Sequence, residues 1–297
     1  MQGQLIADRY QLIQCLGQGA MGSVWLGRHQ MLGSEVAVKL ISAETARHPE
    51  AIQRFYREAT LSAQIHSAHV VRVLDIGRGP EPDGGAYMVM ERLRGESLAA
   101  RLEARTRLTL PETVGIINHV CRAMSAAHEL GLVHRDLKPA NVFICRERAG
   151  EDEMVKVLDF GVAKAPDVLG MSGMDPTRTG ALLGTPYYMS PEQAQGRKDI
   201  DSRSDLWAIG VVAYECLTGK RPFRAPALGP LIAKLTVAPI PVPSAEAPDA
   251  GIPPAIDAWM SRVLVRDPAA RIQSADELAA TLLVAAGYAP PSTRPTG

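Results

Sequence analysis

Three glycines, Gly17, Gly19 and Gly22, stand in the stretch LGQGAMGSVWLG with the spacing Gly-x-Gly-x-x-Gly. That spacing suits two unrelated ways of holding phosphate groups. In one, the glycines follow a strand and open a helix whose first amides bind a pyrophosphate; in the other, they form the turn of a strand pair that lies over the phosphates. The flanking residues separate the two. SVWLGRH follows with β-branched and aromatic residues, and SEVAVKLI comes after a turn-like QMLG. Strand pattern therefore continues on both sides and no helix start follows the glycines. The stretch reads as a hairpin turn in which missing Cβ atoms let the backbone approach a bound group.

The rest of the chain divides in two. Residues 49–65 read as a helix opened by Pro49, with Ile52, Phe55, Ala59 and Ile65 on an apolar face. VVRVLDIG and AYMVMERL read as strands joined through the turn signal EPDGG. From Glu96 the pattern becomes helical: SLAARLEAR, then LPETVGIINHVCRAMSAAHELG, started by Pro111 and Glu112 and stopped by Gly131. Further helices are expected at 204–217, 255–264 and 274–285, with a Pro/Ala-rich connector at 239–254. The expected class is α+β and bilobal. Residues 1–93 form a small, mostly antiparallel β lobe with one helix, and 94–286 a larger, mainly α-helical lobe. Residues 287–297 read as a Pro/Thr-rich tail or the start of a linker.

Bulk properties narrow the partners. Lys+Arg and Asp+Glu both total 32, so net charge gives no argument for nucleic acid or an anionic membrane. Cys15, Cys121, Cys145 and Cys216 are scattered without a Cys-x-x-Cys, which suggests neither a zinc site nor a disulfide framework and fits a cytosolic compartment. The N-terminus MQGQLIADRY lacks the apolar run of a signal peptide. The longest apolar stretch, LWAIGVVAYECL, is too short to span a bilayer and fits a buried helix. The expectation is a cytoplasmic chain with no membrane segment of its own.

Charged residues cluster in two places. LVHRDLKPANVFI sets His134, Arg135, Asp136, Lys138 and Asn141 between apolar runs, and VKVLDFGVAK carries Asp159, Phe160 and Gly161. With Gly17, Gly19, Gly22, Val24 and the Lys39 of VAVK, in this order, the chain resembles a protein kinase catalytic domain over roughly residues 8–285. GTPYYMSPEQ and RDPAARIQSADEL make it most similar to the bacterial, eukaryotic-like (Hanks-type) Ser/Thr kinases.

The resemblance implies a role for each matching residue. The three glycines close over the phosphates of ATP, and Lys39 contacts the α- and β-phosphates with Glu58 as its helix partner. Asp159 and Asn141 ligate Mg²⁺, or Mn²⁺ in its place, through hard oxygen atoms. Asp136 accepts the proton of the attacking hydroxyl, and Lys138 neutralises charge on the transferring γ-phosphoryl. Leu16, Val24, Ala37 and Phe143 enclose adenine, residues 91–93 with Glu91 and Leu93 form the hinge, and Met90 guards the back pocket. Lys138 and Thr185 point to the Ser/Thr branch. Glu192 and Arg271 are expected to form a buried ion pair, and Asp205 to brace the catalytic loop. Ser190 stands where the family most often has Ala.

Regulation and partners also follow from the resemblance. Arg135 beside Asp136 places a cation where a phosphate on the activation segment, at Thr177 or Thr179, would order that segment. The partners implied are proteins bearing Ser or Thr and a second copy of the chain through the small lobe. The chain is then either a cytosolic enzyme or the cytosolic domain of a membrane-anchored receptor kinase. Two other readings use the same residues: a scaffold that keeps the fold without transfer, and a small-molecule phosphotransferase of similar fold.

Overall fold

The computed structural model describes residues 1–19, 22–79, 85–146, 153–160 and 186–289. Thr177, Thr179 and Thr185 lie outside the described residues, as does Gly161. The first part of the chain builds a six-stranded antiparallel sheet in the order β1-β2-β3-β4-β6-β5. Its strands are β1 (Leu5–Ile6), β2 (Tyr10–Gly19), β3 (Gly22–His29), β4 (Glu35–Ile41), β5 (Val73–Arg78) and β6 (Ala86–Glu91). The short β1 was not foreseen from the sequence.

Strand alternation sorts β4 into two faces. Val36, Val38 and Leu40 are buried in a core with Ile6, Tyr10, Leu12, Tyr87 and Val89. Ala37, Lys39 and Ile41 therefore point the other way, where α2 (Pro49–Gln64) packs. A second small core forms there from Phe55, Ala59, Val71, Ala86, Met88 and Met90, with Ala37 and Ile41 against it. Phe55, Glu58, Ala59 and Ser62 are the buried residues of α2. Their spacing of three and four is one helical stripe, so Glu58 is a carboxylate buried beside Phe55, Ala59 and Ser62. A short α1 (Ala43–Ala46) precedes α2.

The second part begins with a three-stranded sheet, β7 (Gly95–Ser97), β8 (Val142–Cys145) and β9 (Met154–Val157), in that order. Around it are α3 (Leu98–Arg105) and α4 (Leu110–Glu129), the latter opened by a capping box between Thr109 and Glu112. α5 (Pro191–Ala194), α6 (Arg203–Thr218) and α7 (Leu228–Val237) follow, then α8 (Pro243–Glu246), α9 (Pro254–Val263) and α10 (Ala275–Ala285). The expected connector at 239–254 contains α8 and a 3-10 turn, Pro248–Ala250, each with proline in its first turn.

α6 is apolar all round and almost wholly buried, the signature of a central core helix. Gly210 lets α9 reach its backbone, because a Cβ there would sit 2.4 Å from Val263 Cγ1. α6 ends at Gly219 in the left-handed conformation, φ 71°. It starts at Arg203, so Asp205 lies inside its first turn rather than at its opening. Among the described residues, no helix is long and apolar enough to cross a membrane.

Candidate active site

The glycines lie at the facing ends of antiparallel β2 and β3, with Gly17 opposite Val24 and Gly19 opposite Gly22. They differ physically. Gly22 has φ 151°, and a Cβ there would lie 1.8 Å from the Leu40 carbonyl oxygen, so the fold itself demands glycine. Added Cβ atoms at Gly17 and Gly19 would meet nothing within 4 Å. Packing does not explain those two, and the open space they leave suits a group lying against the hairpin. Beside them, Leu16 is 41% exposed. Across the sheet Val24 is paired with Lys39, and Ala37 with Met90.

Lys39 is brought to two carboxylates from distant segments. Its Nζ lies 2.7 Å from Asp159 Oδ1 and 3.6 Å from Glu58 Oε1. Burial works against the lysine charge, but Asp159 and Glu58 outweigh it and hold the ammonium above its ordinary range. Burial pushes Glu58 up to about 7, opposed by Lys39 and reinforced by the charge of Asp159. Where Glu58 is ionised, above about pH 7, one cation shared by two carboxylates leaves a surplus negative charge.

The loop between α4 and β8 carries the second group. Asp205 Oδ2 accepts from the His134 amide at 2.8 Å, and Oδ1 from the Arg135 amide at 2.9 Å. His128 Nε2, from the end of α4, also meets Oδ2 at 2.9 Å. Arg135 is non-glycine yet has φ 64°. Its carbonyl accepts from Gln193 Nε2 at 3.0 Å, so α5 and α6 together hold a conformation that costs about 1–3 kcal/mol. Lys138 Nζ donates to Asp136 Oδ2 at 2.9 Å, and Asn141 Nδ2 to the Asp136 carbonyl at 2.9 Å. The Leu158 amide donates to the Asn141 carbonyl at 2.8 Å, which ties this loop to Asp159. Asp159 also has positive φ, 47°. Behind the loop the His134 ring lies 4.9 Å from that of fully buried Phe160.

The donor set fits a hard divalent cation. Asn141 spends its amide nitrogen on Asp136, which orients the amide and leaves its side-chain oxygen as the donor. The side chain of Asp159 is 41% exposed and belongs to the triad with surplus negative charge.

At the junction of the two parts, Met90 is buried and Glu91 ends β6. Glu91 Oε1 accepts from the Arg72 amide and from Lys156 Nζ, each at 2.8 Å. Its carboxylate is thus taken by partners on two segments, the Arg72 amide and Lys156. Leu93 packs at the edge of the α2 core, and Phe143 lies opposite Lys156 in the β8–β9 ladder.

The supporting residues are buried. Arg271 meets Glu192 through Nη1 and Nη2 at 2.9 and 3.0 Å, and Ser204 Oγ donates to Glu192 at 2.7 Å. These bonds hold Glu192 below the usual carboxylate range although burial pushes it up. Ser190, the departure from family pattern, caps α5 in a reciprocal box with Gln193. His128, Lys156 and Gln193 were not singled out from the sequence. Only Gln193 had a local signal, the Ser-x-x-Gln of a capping box.

The curated serine/threonine-protein kinase Pkn1 of Myxococcus xanthus is 40% identical over 257 residues, 86% of this chain and 35% of that protein. Serine/threonine-protein kinase PknB of Mycolicibacterium smegmatis is 38% identical over 97% of this chain and 44% of its own length. The chain thus spans between about a third and half of these relatives. The crystal structure of the Mycobacterium tuberculosis PknI kinase domain superposes with a TM-score of 0.73 at 28% identity, covering 96% of this chain and 99% of that one. The two lobes are those of the protein kinase fold. Residues 10–283 match the protein kinase domain family, and the chain belongs to that family.

Proposed function

We propose that the chain is a Ser/Thr protein kinase that transfers the γ-phosphoryl of Mg-ATP to protein hydroxyl groups. One observation supports this above the others: the Lys39 ammonium lies within 3.6 Å of the carboxylates of both Glu58 and Asp159, the latter 120 positions away in sequence. Membership of the family supports ATP and a divalent ion in general; magnesium is our assignment from the hard oxygen donors Asn141 and Asp159. The ion, when bound, supplies positive charge between the phosphates. Lys39 holds the α- and β-phosphates, kept in place by Glu58, and Gly17 and Gly19 leave room above them. Adenine lies among Leu16, Val24, Ala37, Met90, Leu93 and Phe143, against the backbone of residues 91–93. Asp136 orients the substrate hydroxyl and takes its proton as the oxygen bonds to γ-phosphorus and the bond to the ADP oxygen breaks. Lys138 offsets charge on the γ-phosphoryl in flight.

Several further readings belong to the same proposal. The lobe boundary lies at residues 93/94, with a tail from 287. Thr177 or Thr179 is phosphorylated by the chain itself, and Arg135 pairs with that phosphate; among the described residues the Arg135 side chain has no ion-pair partner. Thr185 supports Ser/Thr selection. A second copy binds through the β lobe, where Met31 and Leu32 at the β3–β4 turn are 88% and 75% exposed. The domain works in the cytosol, free or tethered to a membrane by segments outside it.

The test is transfer of labelled γ-phosphate by the chain alone, with a generic basic protein, and with small hydroxyl compounds. Label on Ser or Thr of protein, lost in Asp136→Asn, is the expected result. Label confined to small molecules, or none above the Asp136→Asn control, overturns the proposal.

A further inference from the structure

Lys156 lies three residues before Asp159, in β9, and has no role in the transfer described above. It stands opposite Phe143 in the β8–β9 ladder, so the two side chains share one face of the small sheet. Val155 and Val157 on the other face are buried in the helical core. Lys156 Nζ reaches the Glu91 carboxylate at 2.8 Å, with side-chain exposures of only 13% and 24%. The same Oε1 accepts from the Arg72 amide, and the Glu91 amide donates to the Arg72 carbonyl at 3.0 Å. Glu91 is therefore fixed to the β lobe without Lys156. The ammonium adds a link from the hinge to the strand that carries Asp159.

Backbone bonds already join β9 to the β lobe at one point, where Val157 exchanges bonds with His69 and Val71 at 2.8 and 3.0 Å. The His69 ring meets the Val155 carbonyl at 3.0 Å beside that point, and the Lys156–Glu91 pair is a further tie from the same strand, placed at the hinge. The other ties gather at residues 69–71, so the Lys156–Glu91 pair is the one that fixes β9 at the hinge itself.

We propose that Lys156 is a positioning residue for nucleotide: it sets the distance between the hinge backbone and Asp159, and so the fit of adenine and triphosphate at once. This rests on the function proposed above. An interaction that fixes the bound nucleotide equally before and during transfer appears in KM rather than kcat. Lys156→Met keeps the length and removes the charge; Lys156→Arg restores it.

The experiment measures KM for ATP, kcat, Mg-ADP affinity by calorimetry and melting temperature for the wild type and both variants. In Lys156→Met, KM and the Mg-ADP dissociation constant should rise about 3- to 10-fold, the range of one partly buried ion pair, with kcat within about twofold. Melting should change little because Arg72 still holds Glu91, and Lys156→Arg should recover most of the affinity. An unchanged affinity in Lys156→Met overturns the inference, as does a loss of stability with normal affinity in the folded protein. If Lys156→Met is poorly folded, Lys156→Gln takes its place: a weakened Mg-ADP affinity that Lys156→Arg recovers sustains the inference, and an affinity equal to that of the wild type overturns it. Failure of the wild type to bind Mg-ADP would instead sink the proposed function.

Discussion

The two lobes hold their reactive groups by different means. In the β lobe two small cores lie on opposite faces of one sheet, and Lys39 is placed by strand alternation and then steered by carboxylates through the tips of long side chains. In the helical lobe one continuous core surrounds α6, and the loop between α4 and β8 is gripped by its backbone: Asp205 and Gln193 bond main-chain atoms of His134 and Arg135. Side-chain ion pairs near a cleft adjust to what enters it, whereas backbone bonds to a buried carboxylate do not. Removing the Lys39 charge should therefore damage activity with little cost to folding, whereas removing a charge from the buried Glu192–Arg271 support of the helical lobe should damage folding itself.

The largest effects probe this contrast directly. Lys39→Met should lower turnover by about 100- to 1,000-fold while the melting temperature stays near that of the wild type. Arg271→Met, by contrast, should destabilise by about 3–5 kcal/mol, read by urea unfolding, because it leaves the Glu192 carboxylate buried and uncompensated. If Arg271→Met unfolds like the wild type, or Lys39→Met collapses the fold, the contrast fails.

A smaller effect sits between the lobes. His69, from the segment after α2, stacks on His119 of α4 with ring centroids 4.4 Å apart. Burial, the neighbouring His69 and Arg122 lower His119 to about 4, and burial lowers His69 as well. The folded chain thus keeps His119 neutral where the unfolded chain takes up a proton. Its contribution is complete above the unfolded pKa of about 6.5 and is lost as pH falls towards about 4. Unfolding free energy should drop by about 1–2 kcal/mol from pH 7 to pH 5 on this account, and His119→Gln should flatten that slope. A slope unchanged by the substitution would remove the histidine pair from the explanation.

The smallest effect tests the departure at Ser190. Ser190→Ala removes the cap of α5 and should cost about 1 kcal/mol. Because Gln193 also holds the Arg135 carbonyl, turnover should fall with it by more than stability alone explains.

What the sequence reveals about this fold follows from the range of the forces involved. The β lobe and the long helices are legible because alternation and helical stripes are local, whereas Glu58 was reached through the resemblance and only the packing of α2 shows it buried. The site residues were reached through resemblance, since nothing local joins Lys39 to Asp159 across 120 positions. Lys156 escaped because a lysine in a strand reads as a solvated residue until its partner across the hinge is known. The same holds for His128, whose pairing with Asp205 spans 77 positions. The short α8 and the 3-10 turn after it were hidden in a proline-rich stretch whose prolines open them.

The central claim is that Asp136 acts on the substrate hydroxyl while other residues hold the nucleotide. The most direct test pairs Mg-ATP calorimetry with the labelled-phosphate transfer rate for Asp136→Asn. The account predicts nucleotide affinity within about threefold of the wild type and transfer slower by about a thousandfold. Transfer at the wild-type rate would contradict it.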